Sequence, residues 1–262
     1  MTKLEVPTMA ELTARGESPE VLFWVGCAGS FDDRAKKITK AFVKLLIKAN
    51  VKFAVLGTEE SCTGDPARRA GNEFLFQMQA MSNIEVMNAY KVKKVVTACP
   101  HCFNTIKNEY PELGGNYSVV HHTQLLKELL DEKRLTIESG KFVGKKITFH
   151  DPCYLGRAND IYEAPRELIS KLDAELVEMK RCRTKGLCCG AGGAQMFKEP
   201  EKGKKDINIE RTEDALAVKP NYIATGCPFC NTMMTDGIKN KEKEKDIHVM
   251  DVAEMIAHAQ DL

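Results

Sequence analysis

The sequence has no long hydrophobic run. Its longest apolar stretches, Val21–Val25 and Phe53–Leu56, are strand-sized, far short of the ~20 residues a membrane-crossing helix needs. It has no excess of one charge either. Lys and Arg number 38 against 37 Asp and Glu, a formal net charge of +1, so the chain lacks an overall basic footprint for nucleic acid or anionic lipid. The first twenty residues mix acids, bases and proline and lack the apolar core of a signal peptide. No nucleic-acid binding and no direct membrane insertion are expected. The expected location is the cytoplasm, with membrane association only through a partner. What remains, 43% hydrophobic and 29% charged over 262 residues, is the composition of a globular protein of one large or two small domains.

Cysteine is the residue in unusual supply, with ten copies. In a cytoplasmic chain of this size, clustered cysteines more often bind metal or do redox work than form disulfides. Their spacing repeats. Cys27 and Cys62 are 35 positions apart, as are Cys153 and Cys188, and CPHC (Cys99, Cys102) is matched by CPFC (Cys227, Cys230). The halves are offset by 126 positions at the first two cysteines and 128 at the CxxC. Cys182 has no counterpart, and Cys189 is matched by Thr63.

The flanks repeat as well. An apolar strand, Val21–Val25 or Ile147–His150, precedes the first cysteine. Amphipathic stretches follow at Asp33–Ala49 and Ile161–Leu172, then short apolar runs at Val51–Leu56 and Ala174–Met179. Helical patterns come next, Arg68–Tyr90 and Lys205–Val218, followed by strands that stop at the CxxC. Each half closes with a strand and helix, Tyr117–Leu130 and Ile247–Ala259. This alternation predicts an α/β protein of two pseudo-symmetric, doubly wound domains, each a small parallel sheet flanked by helices. The domains are expected at residues 1–138 and 139–262, with a linker near Thr136–Lys146.

In open α/β sheets the loops at the carboxyl ends of the strands converge on one edge. Cys27, Cys62 and Cys99 follow strands, and so do Cys153, Cys188 and Cys227, so each set is expected on one rim. Pro100 and Pro228 suit the first turn of a helix, whose free N–H groups favour thiolate or sulfide charge. Gly26, Gly29, Gly64, Gly190, Gly192, Gly193 and Gly226 flank the cysteines and admit close backbone approach. Three chemistries fit such a pattern. Structural zinc needs four ligands, which Cys27, Cys62, Cys99 and Cys102 could supply. The vicinal pair Cys188–Cys189 is awkward for one small ion. Dithiol redox catalysis needs two sulfurs, not nine. Iron–sulfur ligation by Cys153, Cys188, Cys189, Cys227 and Cys230, with the other four cysteines as a second metal site, accounts for both count and rim.

The pattern Cys153-x34-Cys188-Cys189-Gly190-x36-Cys227-x2-Cys230 resembles the cysteine-rich "CCG" domain. That domain occurs in the B-type component of heterodisulfide reductase and in the iron–sulfur subunits of glycerol-3-phosphate, lactate and glycolate oxidation. HDPCYLGR (His150–Arg157), CCGAGGAQMF (Cys188–Phe197), NIERTEDAL (Asn208–Leu216) and ATGCPFCNTMMTDG (Ala224–Gly237) look most like electron-transfer-flavoprotein:menaquinone oxidoreductases. The resemblance implies a non-cubane [4Fe-4S] type cluster on the five second-half cysteines. It also implies electron relay, between a flavin dehydrogenase or electron-transfer flavoprotein and a quinone or another iron–sulfur subunit. Implied partners are flavoprotein and iron–sulfur subunits, with a ferredoxin-like subunit or membrane anchor supplied from outside. Two alternatives stay open: a catalytic subunit reducing a heterodisulfide or disulfide, and a zinc-stapled structural protein. Thr63 departs from the pattern. It leaves the first half with four cysteines, for an ordinary cubane, a remnant site or zinc.

Other residues have plainer expected roles. Cys182 is expected to be a spare thiol. His101 and His150 either satisfy local hydrogen bonds or tune a bound group. His121 and His122 are structural. Asp151 and Arg157 either cap their loop or face a substrate. The runs Lys198–Lys205 and Lys239–Lys245 are solvated loops, and Met196, Met233 and Met234 fill core or cover the cysteines.

Overall fold

The computed structural model describes residues 4–137, 140–199 and 202–262. The chain forms two compact units, Met1–Leu135 and Thr136–Leu262. The boundary expected between residues 138 and 139 falls on residues outside the described ones, as do positions 200 and 201 of the Lys198–Lys205 run.

The first unit runs α1 (Met9–Ala14), β1 (Val21–Trp24), α2 (Gly26–Phe31), α3 (Ala35–Lys48), β2 (Phe53–Ala54), α4 (Asp65–Arg69), α5 (Glu73–Ala89), β3 (Lys94–Thr97), α6 (Pro100–Asn104), β4 (Ser118–His121) and α7 (His122–Asp131). Its four strands are parallel, in the order β2-β1-β3-β4. The second unit runs β5 (Lys146–Phe149), α8 (Glu163–Ser170), β6 (Glu175–Leu176), α9 (Ile207–Ala217), β7 (Tyr222–Thr225), α10 (Pro228–Asn240), β8 (His248–Asp251) and α11 (Val252–Ala259). Its order, β6-β5-β7-β8, is the same, and again all parallel. The two pseudo-symmetric α/β layers expected from the repeat are therefore present.

The strand order places the sites. In each sheet the chain steps from the first strand to one side, then returns to its other side. The loops leaving β1 and β3, or β5 and β7, thus diverge at a switch point, where α/β sheets open a crevice. Central position demands burial on both faces. All four residues of β1 are buried, as are the last three of β5 and of β7. The stripe Ile38, Phe42, Leu45 of α3 covers the first sheet, with Phe42 edge-on to Phe23 at 5.1 Å. In the second unit Gly237 lets α10 press onto α9. A Cβ there would sit 1.9 Å from Thr212 Oγ1.

Two helical stretches differ from the sequence pattern. Arg68–Tyr90 is two helices rather than one, because Gly71 (φ +88°) breaks the path and the Asn72 side chain accepts from Leu75 N–H to start α5. The helices after the two CxxC turns also diverge. α10 continues for 13 residues, whereas α6 ends after five and passes into a π turn at Thr105–Glu109. The Glu109 carboxylate accepts hydrogen bonds from Arg68, Arg69 and Asn104 there. Among the described residues no helix is long and apolar enough to cross a membrane.

Candidate metal centres

In the second unit the rim gathers five sulfurs. Cys153 leaves β5, Cys188 and Cys189 lie in the loop after β6, and Cys227 caps α10 with Pro228 in its first turn. Cys189 Sγ lies 3.4 Å from Cys230 Sγ. Hydrogen bonds link Cys153 to Cys188, Cys188 to Cys189, and Cys230 to both Cys189 and Cys227. The vicinal thiols thus face one nest instead of diverging. Gly190 makes this possible. At φ +95° its N–H turns back to donate to Cys188 Sγ at 3.3 Å, a backbone angle only glycine adopts at little cost. Cys189, Cys227 and Cys230 are buried, while Cys153 and Cys188 are half-buried. Met196, Phe229 and Met233 pack against them.

The first unit repeats the nest with one change. Cys27 donates to Cys62, and Cys102 shares a hydrogen bond with Cys99. The Gly64 N–H, at φ +89°, turns back to Cys62 as Gly190 does to Cys188. Gly26 lets the backbone approach Cys102 Sγ, which a Cβ would meet at 3.3 Å. Thr63 stands where Cys189 stands. It is 2% exposed, with its Oγ1 3.9 Å from Cys102 Sγ. A hard hydroxyl therefore fills the place of the fifth soft donor.

Both nests are polarised alike. A hydrogen bond from Cys27 lowers the Cys62 thiol to about 7, and one from Cys153 lowers Cys188 well below the usual thiol range. Their donors, Cys27 and Cys153, are pushed up by the same bonds and by burial. Cys189 is raised to about 12, chiefly by its bond to Cys188. The cysteine in the loop after β2 or β6 thus accepts a hydrogen bond from the cysteine that follows β1 or β5.

Carboxylates tie the loops of each rim together, from opposite sides. In the first unit Glu60, after β2, accepts from Val25 N–H at 2.9 Å and Gly26 N–H at 2.6 Å, after β1. Burial raises it to about 7. In the second unit Asp151, after β5, accepts from Arg183 N–H at 2.7 Å, after β6. Arg166 grips Asp151 through two hydrogen bonds, 2.7 and 3.0 Å, with both side chains about 95% buried. Asp151 therefore caps its loop, as does Arg157, whose Nη2 donates to Gly186 O at 2.7 Å.

The remaining singled-out residues have local duties. His101 Nδ1 lies 2.9 Å from Asp65 Oδ2, and Arg69 donates to the same carboxylate. His121 and His122 partner each other, and His121 also meets Thr123. Met234 is core, and Cys182 lies outside the hydrogen-bonded set of five sulfurs. His150 is different. It is fully buried, its Nδ1 accepts from Arg211 Nε–H at 2.9 Å, and it lies within 4.8 Å of the Cys189 and Cys230 sulfurs. Its Nε2 has no partner. Burial, then the Arg211 charge, lowers its pKa to about 3. Sequence reasoning passed over Glu60, Asp65 and Arg211. Arg211 sits inside the NIERTEDAL motif, and its burial was the missing information.

A family profile described as a cysteine-rich domain, CCG, matches residues 21–107 and again 147–235. The chain is 48% identical over 256 residues to the probable iron-sulfur-binding oxidoreductase FadF of Bacillus subtilis, covering 97% of this chain and 36% of that protein. It is 45% identical over 252 residues to an EtfAB:quinone oxidoreductase of Syntrophomonas wolfei, covering 94% and 35%. The D component of the dihydromethanophenazine:CoB--CoM heterodisulfide reductase of Methanosarcina barkeri is 32% identical over 250 residues, covering 93% and 59%. The chain thus spans between about a third and three fifths of these relatives' lengths.

Proposed function

The chain belongs to the CCG cysteine-rich domain family, and from that membership and the two nests we propose that it is an iron–sulfur electron-transfer component of an oxidoreductase. The observation that carries this reading is the convergence of five thiols on one switch-point crevice, with Cys189 and Cys230 sulfurs 3.4 Å apart. Five soft donors exceed the four of a zinc tetrahedron and suit a polynuclear cluster. The donor set fits: vicinal thiols facing inward, a backbone N–H on Cys188, and a buried ring nitrogen left without a partner.

Cys153, Cys188, Cys189, Cys227 and Cys230 would hold a [4Fe-4S] type cluster, non-cubane in keeping with the fifth thiolate. Cys27, Cys62, Cys99 and Cys102 would form a separate four-thiolate site, the donor count of one cubane cluster or of one structural zinc. The bound cluster supplies one-electron exchange. The protein supplies the rest. Buried Cys189, Cys227 and Cys230, under Met196, Phe229 and Met233, exclude water from one side. Half-buried Cys153 and Cys188 leave the other side closest to a partner. The proposed partners are a flavoprotein donor, such as an electron-transfer flavoprotein, and a quinone or second iron–sulfur subunit as acceptor. Membrane association would come through such a partner.

Stopped-flow mixing of the anaerobically loaded chain tests the role. Reduced electron-transfer flavoprotein should bleach its visible absorption, and a soluble menaquinone analogue should restore it. A loaded chain that exchanges electrons with neither overturns the relay reading.

A further inference from the structure

The second nest contains a proton whose place is fixed from outside. An arginine side chain only donates hydrogen bonds. Arg211 Nε–H points at His150 Nδ1 at 2.9 Å, so Nδ1 must be the bare, accepting nitrogen. The neutral ring then carries its proton on Nε2. Arg211 cannot turn away, because it is fully buried and its Nη1 donates to Arg181 O at 2.6 Å and faces Asp214 Oδ2 at 3.3 Å. Arg181 in turn holds Asp214 through two hydrogen bonds, 2.6 and 2.9 Å.

The consequence is a buried N–H with nothing to bind. His150 Nε2 is sealed from solvent and has no acceptor, a state that folded proteins rarely tolerate unless the group serves a purpose. The ring lies within 4.8 Å of Cys189 and Cys230. The matched position in the first unit is Trp24, whose Nε1–H is also fully buried and unpartnered. An indole can only donate. Two different rings at the same place in the repeat therefore each hold one unused donor.

We propose that Arg211 is a positioning residue that fixes the His150 proton on Nε2, making His150 a hydrogen-bond donor to sulfur of the group held by the second nest and not a metal ligand. Ligation through Nε2 would require the proton on Nδ1, where the Arg211 N–H already points. A hydrogen bond to cluster sulfur stabilises the more negative, reduced state and raises the potential. The inference rests on the cluster reading above for its acceptor, while the proton's position rests on Arg211 alone.

Two readouts test it. In the cluster-free full chain, long-range 15N–1H correlation spectra should show His150 protonated on Nε2, with the signal assigned by its loss in His150→Gln. A proton on Nδ1 overturns the proposal, and this measurement needs no iron. In the anaerobically loaded chain carrying 15N-histidine, ENDOR should show a weakly coupled nitrogen and an exchangeable proton. A strongly coupled, directly bonded nitrogen, or neither coupling, overturns the donor role. His150→Gln, which keeps an acceptor for Arg211 and a donor for sulfur, should stay within threefold of wild type in the oxidised-to-reduced ratio at fixed potential. His150→Leu should shift that ratio at least tenfold toward oxidised, about 59 mV for one electron. A Leu variant matching wild type overturns it. Absence of iron and sulfide from wild type would count against the cluster and leave the tautomer result standing.

Discussion

The two nests share a skeleton and differ in one donor. Each has a donating cysteine after the first strand, an accepting cysteine after the second, a left-handed glycine turning its N–H onto that acceptor, and a CxxC capping a helix. Thr63 in one and Cys189 in the other occupy the same buried spot, facing Cys102 and Cys230. The comparison teaches that the framework of the site belongs to the fold, whereas the number of sulfur donors it offers changes at a single position. The supports around that framework vary freely. Glu60 and Asp151 make the same bridge between loops from opposite ends, and Trp24 stands where His150 stands.

The largest effect is expected from exchanging the differing residue. Cys189→Thr should give the second nest the donor set of the first and abolish the EPR signal of a five-thiolate cluster, while the first nest is unchanged. Thr63→Cys should raise iron and sulfide bound per chain or change the first nest's spectrum. If Cys189→Thr instead unfolds the chain, the sulfur is a structural staple and the comparison fails. Circular dichroism beside metal analysis separates these outcomes.

Breaking the loop bridges comes next. Asp151→Ala takes one of two carboxylate partners from the buried Arg166, which keeps Glu178, and should destabilise the second unit by about 1.5–3 kcal/mol. Glu60→Gln leaves a neutral hydrogen-bonding group and should cost the first unit about 1 kcal/mol. Denaturant titration followed by hydrogen exchange of β5 and β1 amides assigns each loss to its unit. Equal losses would mean that the two bridges are not alternatives of unequal charge. Gly237→Ala should cost roughly 1–3 kcal/mol, because the added Cβ meets Thr212, and the loss should appear in the second unit alone.

The smallest effect is a pH asymmetry in the cluster-free chain. His150 falls from 6.5 to about 3 on folding, so its contribution is complete above about pH 6.5 and is lost as pH falls toward 3. Glu60 rises from 4.5 to about 7, so its contribution is complete below about pH 4.5 and is lost as pH rises through 7. Acid should therefore loosen the second unit and approach to neutrality the first. Trp24, the only tryptophan, reports the first unit by fluorescence, and β5 amide exchange reports the second. Parallel pH profiles in both units would contradict the assignment.

Much of this was legible in the sequence because it is periodic. Spacings of 35 residues, strands ending at cysteines and Pro after each CxxC led directly to parallel sheets with sulfurs on one rim. The break at Gly71–Asn72 was written there too, as a glycine followed by a capping residue, but the long apolar pattern of Arg68–Tyr90 masked it. The Arg211–His150 and Arg166–Asp151 pairs were not legible. Each joins residues 61 and 15 positions apart, and only packing tells a buried arginine from a solvated one. The swapped bridge escaped for another reason: aligned, Glu60 falls on Gly186, so matching positions hides a matching function.

The most direct measurement is iron, acid-labile sulfide and zinc per chain after anaerobic purification, taken together for wild type and Cys189→Thr. Iron and sulfide in wild type, with a specific loss of both from the folded variant, is the result the five-thiolate nest requires. Stoichiometric zinc without sulfide in both proteins would contradict it.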